Sequence, residues 1–325
     1  MVKQEVLAAL DAVRGRYISG QELAAQLGVS RTAVWKAVAA LRRDGIPIKA
    51  VTNRGYTLAQ SVDVLNAAAV AVQLDETTVK ALQIEVVDRL PGTNAALRSR
   101  ADAGARDGLV LIAQAQSAGR GRGGHSFYSP PGGLYMSILL RPEIGARQAV
   151  GLTAMAAVAA ARAAERLCGV PITIKWVNDL FCSGKKISGI LTEAVVREGK
   201  PAGIIVGIGV NFATPPELLP EVAGSLRDFL LPGASRNEAA AALIRGLRDE
   251  LPDLVRQRSF LPEYRRRSIL LGQPVRVLPV GQEPYEAVAE SIDEEAALVV
   301  DRQGRKIRLQ TGEVSIRFPG QETNR

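Results

Sequence analysis

The sequence holds one histidine, His125, and two cysteines, Cys168 and Cys182, among 325 residues. Two cysteines are too few for a disulfide framework or a four-cysteine zinc site, and they fit a reducing compartment as ordinary thiols. A single histidine leaves almost no room for histidine-based metal sites. A Ser-His-Asp arrangement would rest on one residue in a glycine-rich loop, where it is poorly held for general-base work. Long apolar runs are missing too: the Ala-rich stretch from Gly151 to Cys168 is broken by Arg162, Glu165 and Arg166, so no membrane span is expected. Met1-Val2-Lys3-Gln4-Glu5 does not open like a signal peptide, and a cytoplasmic location is the expectation. There is no internal repeat or low-complexity segment. The chemistry is left to Lys, Arg, Asp and the backbone.

What is present is an apolar content of 47%, ample for buried cores, in a chain long enough for two or three domains. The net charge of +8 is uneven: residues 1–60 carry nine Lys/Arg against four Asp/Glu, which points this end toward nucleic acid. Val6, Leu7, Leu10 and Val13 recur at helical spacing until Gly15. Ser19 and Glu22 form a capping box ahead of Leu23, Ala24 and Leu27; Gly28-Val29-Ser30 then turns into a helix over 31–43. This is a helix-turn-helix pattern. Val34, Val38 and Leu41 face its core, leaving Ser30, Arg31, Thr32, Trp35 and Lys36 at the start of the second helix, where a recognition helix meets DNA. Residues 46–51 and 55–58 read as a two-stranded wing with Arg54 at its tip. The bland alternative is a helical hairpin used only for packing; the local positive charge and the wing favour a winged helix-turn-helix.

An Ala/Val-rich helical stretch over 62–72 reads as a connector. Strands over 84–87, 110–113, 134–140, 173–176, 187–195 and 204–210 are then interspersed with helices near 94–102, 151–168, 237–257 and 260–268. Runs of consecutive strands predict an α+β domain with a mixed or antiparallel sheet. Strands over 275–278, 285–292, 298–301 and 306–316, separated by Gly, Pro and Asp, read as a small β-barrel. The whole is a multidomain α+β chain, divided at 1–62, 63–80, 81–271 and 272–325.

Two segments carry chemistry. Gly119-Arg120-Gly121-Arg122-Gly123-Gly124 sets two guanidinium groups on a backbone nearly stripped of side chains, suited to closing over a phosphate or carboxylate. It also fits G-x-G-x-x-G, but the following segment through Pro130-Pro131 cannot open a helix, so a dinucleotide-binding turn is rejected and the loop is placed between two strands. Its alternative is a solvated basic hairpin tip. The second segment runs from Lys175-Trp176-Val177-Asn178-Asp179 to Gly184-Lys185-Lys186-Ile187-Ser188-Gly189 and fits a strand, a tight turn and a returning strand. Lys186, held at the start of a strand, is suited to neutralising a carboxylate and a phosphate together, and Asp179 to orienting a lysine or ligating Mg2+. Its alternative is a surface hairpin with both lysines merely solvated. No P-loop precedes it, so any nucleotide is held without one.

The chain resembles the bacterial biotin-protein ligases that also act as the biotin operon repressor. The likeness rests on Pro91-Gly92-Thr93-Asn94, Gln116 through Gly121-Arg122, Ser129-Pro130 with Gly132, Lys175-Trp176 with Asn178-Asp179-Leu180, Gly184 to Leu191, and Gly207-Ile208-Gly209-Val210-Asn211. It implies a class II synthetase-like catalytic domain between a winged helix and a small SH3-like barrel. It further implies that Gly92, Thr93, Asn94 and Gln116 bind the head of biotin, and that Arg120, Gly121 and Arg122 close over biotin and its adenylate. Lys186 would hold the carboxylate and α-phosphate, and Gly189 and Gly207 would leave space for the ligand. Lys175, Asn178, Asp179 and Asn211 are associated with ATP, Asp179 with Mg2+. The implied reaction uses biotin and MgATP as substrates, with no tightly bound organic cofactor. It forms biotinyl-5'-AMP and transfers biotin to a lysine of a biotin carboxyl carrier protein or another biotin-dependent carboxylase, with Arg122 and Lys186 as catalytic residues. Operator DNA and a ligand-bound homodimer are the other implied partners, and no membrane is.

The sequence departs from the family at Gly92, often a serine, and at Val177, usually a proline. The loop continues with Gly123, His125 and Phe127 where the family has further arginine and a tryptophan. Fewer charges and a smaller ring are expected to weaken retention of the adenylate. The competing readings are a ligand-sensing transcription factor without turnover, a ligase whose DNA-binding domain no longer represses, and a lipoate-protein ligase-like enzyme.

Overall fold

The computed structural model describes residues 2–59, 62–142, 148–197, 200–256, 258–279, 281–310 and 314–317. At the N-terminus, α1 (Val2–Ala12), α2 (Gly20–Leu27) and α3 (Arg31–Arg43) precede β1 (Ile48–Val51) and β2 (Gly55–Leu58). The capping box expected at Ser19 is formed: its hydroxyl accepts from Glu22 N at 3.0 Å while Glu22 accepts from Ser19 N at 2.8 Å. Val34, Val38 and Leu41 of α3 join Val6, Leu10 and Leu23 in one core, as their spacing predicts. β1 and β2 pair antiparallel as the wing.

The connector departs from expectation. Helix does not begin at 62; it is limited to α4 (Ala67–Ala71), because the Asn66 side chain accepts from Ala68 N and Ala69 N at 2.8 and 3.1 Å and so starts the helix there. A further helix, α5 (Glu76–Ala81), capped by Asp75, was not expected. Gln257 and residues 311–313, which fall in a predicted helix and the predicted last strand, lie outside the described residues.

The central sheet is mixed and seven-stranded. In chain order its elements are β3 (Gln83–Leu90), α6 (Thr93–Asp102), β4 (Leu109–Gln116), β5 (Leu134–Leu140), α7 (Gln148–Cys168), β6 (Thr173–Lys175), β7 (Asp179–Cys182), β8 (Lys185–Arg197) and β9 (Lys200–Val210). Spatial order is β3-β4-β5-β9-β8-β7-β6, with β3–β4 parallel and every other pair antiparallel. The Gly/Arg loop joins β4 to β5, between two strands as predicted. The lysine segment makes two consecutive hairpins, β6–β7 and β7–β8, rather than one.

Strand alternation assigns the two faces. Met136, Ile138, Ile190, Val206 and Ile208 point into the main core, with the buried Ala-rich α7 and with α8 (Arg236–Arg256) and α9 (Phe260–Arg267). The opposite face buries Leu111, Leu139, Val195 and Ile205 beneath Leu97 and Ala101 of α6. On that second face the apolar pattern is interrupted at Tyr135 and Ser137 of β5, Gly207 and Gly209 of β9, and Gly189 and Glu193 of β8, which share it by the period of two. Where large apolar residues stop, the sheet can line a polar cavity.

The C-terminal part is a five-stranded antiparallel sheet of β10 (Pro274–Pro279), β11 (Tyr285–Ile292), β12 (Leu298–Arg302), β13 (Arg305–Leu309) and β14 (Val314–Arg317), in the order β13-β12-β11-β10-β14. The run expected as one strand over 306–316 is thus two, on opposite edges of the sheet. This sheet touches the lysine segment: Trp176 Nε1 donates to Ala296 O at 2.9 Å.

Candidate functional site

A cavity of about 550 Å³ opens where the N-terminus of α6, the end of β4, the Gly/Arg loop and the interrupted face of β8 and β9 meet. Thirteen of the fourteen predicted ligand residues line it: Gly92, Thr93, Asn94, Gln116, Arg120, Gly121, Arg122, Lys175, Asn178, Asp179, Lys186, Gly189 and Gly207. Asn211 does not. It is buried behind Lys186, its Nδ2 donating to Gly224 O at 2.9 Å and its backbone bonded to Ile187 and Leu226, so it braces the segment that follows β9.

One end of the cavity carries no net charge, the Glu193 carboxylate there being paired with Arg98 at 3.6 Å, and it is densely hydrogen-bonded. Gln116 Oε1 accepts from Thr93 N at 2.8 Å and lies 3.2 Å from Thr93 Oγ1; Gln116 Nε2 donates to Ser129 Oγ at 2.8 Å, and Ser129 Oγ donates to Phe127 O at 2.9 Å. Asn94 Nδ2 donates to Leu191 O at 3.2 Å and to Glu193 Oε2 at 2.7 Å. Gly207 makes this possible, because a Cβ there would overlap the Asn94 carboxamide. A ligand with adjacent N–H and C=O groups fits such an end.

The other end is charged. Lys186 Nζ stands 2.7 Å from Asp179 Oδ1, both partly buried. Lys186 gets there through a β-bulge: Gly189 and Ser188 pair with Asp179 and Leu180, but Phe181 then pairs with Lys186, skipping Ile187. The extra residue sends Ile187 to the core and aims Lys186 at the cavity, while Lys185 is exposed. Arg122 Nη1 donates to Asn178 Oδ1 at 3.3 Å. Burial pushes the Arg122 guanidinium below its ordinary value and the charge of Asp179 works against that shift. An anion entering here finds a partly desolvated cation and an ammonium already poised against a carboxylate.

The turn carrying Asn178 is held from three sides. Asn178 Nδ2 donates to Ile190 O at 2.9 Å, the buried Tyr264 of α9 donates to Val177 O at 2.9 Å, and Trp176 reaches the C-terminal sheet. The Gly/Arg loop folds on itself, with Gly121 N donating to His125 O at 2.7 Å and Phe127 N to Gly119 O at 2.9 Å. The Phe127 ring lies across Gly189 and Gly209, 3.1 Å from where a Cβ of Gly189 would be, and meets Tyr135 edge-on with centroids 6.4 Å apart. Sequence reasoning missed Ser137, Glu193 and Tyr264, and it quoted Ser129 only as part of a motif without giving it a place in the site. The strand period could have placed Ser137 on the cavity face; nothing in local sequence signals Tyr264.

On the winged helix, a groove of about 640 Å³ is lined by Ser19, Gln21, Arg31, Thr32, Trp35 and the wing residues Thr52 and Asn53. Trp35 is 61% exposed, and Arg31, Thr32 and Lys36 are exposed as predicted. Ser30 Oγ is engaged as the cap of α3, accepting from Ala33 N at 3.1 Å. Arg54 stacks over the Tyr17 ring at 4.3 Å.

Residues 86–211 match the biotin/lipoate A/B protein ligase family, and residues 3–57 match a helix-turn-helix domain. The bifunctional ligase/repressor BirA of Escherichia coli is 32% identical over 311 residues, covering 93% of this chain and 94% of the relative. That of Bacillus subtilis is 33% identical over 245 residues, 75% of each chain. Among solved structures, the biotin protein ligase of Aquifex aeolicus in complex with biotin and ATP is similar in fold, with a TM-score of 0.62 and 24% identity over 73% of this chain and 99% of that one. With a helix-turn-helix unit and a ligase unit aligned in one chain over nearly its full length, this protein belongs to the family of bifunctional ligase/repressors.

Proposed function

We propose that the chain is an ATP-dependent biotin-protein ligase and a biotin-responsive transcriptional repressor. The observation that carries the reading is one cavity with a neutral donor/acceptor end at Thr93, Asn94 and Gln116 and a cationic end at Arg122 and Lys186. Biotin has that polarity: a urea ring at one end and a carboxylate at the other. The carboxylate oxygen attacks the α-phosphorus of ATP, the bond to pyrophosphate breaks, and biotinyl-5'-AMP forms. A carrier lysine amine then attacks the acyl carbon, AMP leaves, and the amine loses its proton to give the amide.

Lys186 exchanges its contact with Asp179 for the incoming carboxylate and α-phosphate, and Arg122 offsets the charge that develops as pyrophosphate departs. Arg120 and Gly121 close the loop over the intermediate and exclude water. Asp179 is the carboxylate at the cationic end of the cavity and would add an oxygen ligand to a Mg2+ carried in by the triphosphate, with Lys175 and Asn178 nearby. Bound there, Mg2+ would neutralise phosphate charge.

The same reading takes 1–62 as a winged helix, 63–80 as linker, 81–271 as a class II synthetase-like catalytic domain and 272–325 as an SH3-like barrel. Ser30, Arg31, Thr32, Trp35, Lys36 and Arg54 contact operator DNA. Ligand-bound homodimers in the cytoplasm read two half-sites of a roughly palindromic operator. The test is the mass of a biotin carboxyl carrier domain after incubation with this protein, biotin and MgATP. A single biotin-sized increment, absent without ATP and absent in the acceptor Lys→Arg carrier, is expected. Tight biotin binding without transfer would favour the sensor reading, and a tenfold preference for lipoate the lipoate ligase.

A further inference from the structure

Ser137, in the middle of β5, is fully buried beneath the neutral end of the cavity. Its Oγ stands 2.7 Å from Thr93 Oγ1 and 2.6 Å from Asn94 Oδ1. A hydroxyl has one proton, so Ser137 donates to one of these neighbours at a time. The remaining protons in the network are committed. Both Asn94 amide bonds, to Leu191 O and to the Glu193 carboxylate, come from Nδ2, which orients Oδ1 toward Ser137. Thr93 Oγ1 is within reach of Gln116 Oε1, an acceptor, so the Thr93 proton has its place there and its lone pairs face Ser137. Gln116 Nε2 is held by Ser129.

From this accounting we infer that Ser137 is a positioning residue for recognition of a urea ring, acting through Thr93 and Asn94; the inference rests on the biotin reading of the same cavity. A ring N–H that donates to Asn94 Oδ1 takes over the acceptor Ser137 was serving. The Ser137 proton then turns to Thr93 Oγ1, and the Thr93 proton swings from Gln116 Oε1, which keeps its bond from Thr93 N at 2.8 Å, to the ring carbonyl; accepting from Ser137 makes Thr93 the better donor. One buried hydroxyl thereby lets the pair accept from an N–H and donate to a C=O in the same complex. Removing it leaves two acceptors without their shared donor at a position where Ser137 and Thr93 are both buried. The affinity lost falls on the urea alone, because Ser137 does not reach the charged end of the cavity.

The test compares wild type and Ser137→Ala in adenylation, with biotin and with the diamine analogue in which the urea carbonyl is absent. For biotin, KM is expected to rise roughly tenfold, with kcat at saturation within about twofold of wild type. For the diamine analogue the two proteins are expected to differ by less than about twofold. An unchanged KM for biotin, or an equal loss with both compounds, would overturn the proposal and leave Ser137 a packing residue. If Ser137→Ala does not fold, Ser137→Cys, which keeps a weak donor, is read in the same assay and is expected to show a smaller rise in KM confined to biotin. Failure of the wild type to adenylate biotin at all would instead strike at the ligase reading.

Discussion

Lys186 and Lys185 are chemically identical and adjacent, yet only Lys186 lines the cavity. Strict alternation back from Gly189 would have given the cavity to Lys185; the bulge at Ile187 reverses the parity. Lys186→Ala is therefore expected to lower biotin adenylation by on the order of a hundredfold or more, measured by ATP–pyrophosphate exchange, with an unaltered circular dichroism spectrum. Lys185→Ala, which exchanges one exposed side chain for another, is the control expected to retain exchange; the reverse pattern would reassign the role. Glycine works at the same scale. At Gly207 any side chain would displace Asn94, and at Gly209 it would displace Phe127, so the cavity's shape depends on two missing methyl groups.

Helices α7, α8 and α9 are tied by a charged cluster. Arg267 donates to Glu165 at 2.7 Å and to Glu263 at 2.6 Å, and Arg162 donates to Glu263 at 2.6 Å and also to Glu250. The hydrogen bond from Arg267 is the largest influence on Glu165 and holds its carboxyl below the ordinary 4.5, against a smaller opposing effect of burial. A carboxylate whose folded pKa is depressed adds stability that is fully present above the unfolded value and is lost as pH falls through the folded one. Glu165→Gln is thus expected to lower Tm at pH 7, and the gap to wild type is expected to close as pH drops below 4.5. A gap that stays constant would mean that Glu165 contributes through packing and not through charge. The cluster matters to the site because α9 also supplies Tyr264, whose hydroxyl holds the turn bearing Asn178.

Across the whole molecule, the winged helix is joined to the ligase part by buried polar contacts. Asn237, at the start of α8, donates to Asp11 of α1 and to Val64 O, each at 2.9 Å, and accepts from Asn66 N at 2.9 Å. Arg236 binds Asp63 at 2.8 Å and reaches Gly133 O, at the end of the Gly/Arg loop segment, at 3.4 Å. Arg236 is 7% exposed, so cutting its side chain strands Asp63 in a poorly hydrated joint. Arg236→Leu is expected to cost roughly 3 kcal/mol, read by urea denaturation, and to hasten proteolytic separation of the two parts. A loss below about 1 kcal/mol would place the joint among ordinary surface pairs.

Much of the cavity lining is legible in the sequence. The Gly/Arg loop, the lysine hairpin and the glycines of β8 and β9 are local signals, because a stripped backbone and a charged turn announce close approach to an anion in a few residues. The winged helix was legible for the same reason: caps at Ser19 and Ser30 and the spacing of Val34, Val38 and Leu41 are short-range facts. The helix expected from 62 starts only at Ala67 because Asn66 caps it there, and the same residue is bonded to Gln4 and Asn237, both remote in sequence. The chain by itself determined most of its element types, its basic N-terminus and most of its cavity-lining residues, since periodicity and turn chemistry act within a few positions. Only the tertiary structure decided that Lys186 faces the cavity, that Ser137 lies under Thr93 and Asn94, that Asn211 stands behind the site, and that Tyr264 and Ala296 clamp its turn. Those depend on strand register and on contacts between segments far apart in sequence, where no local pattern carries the information.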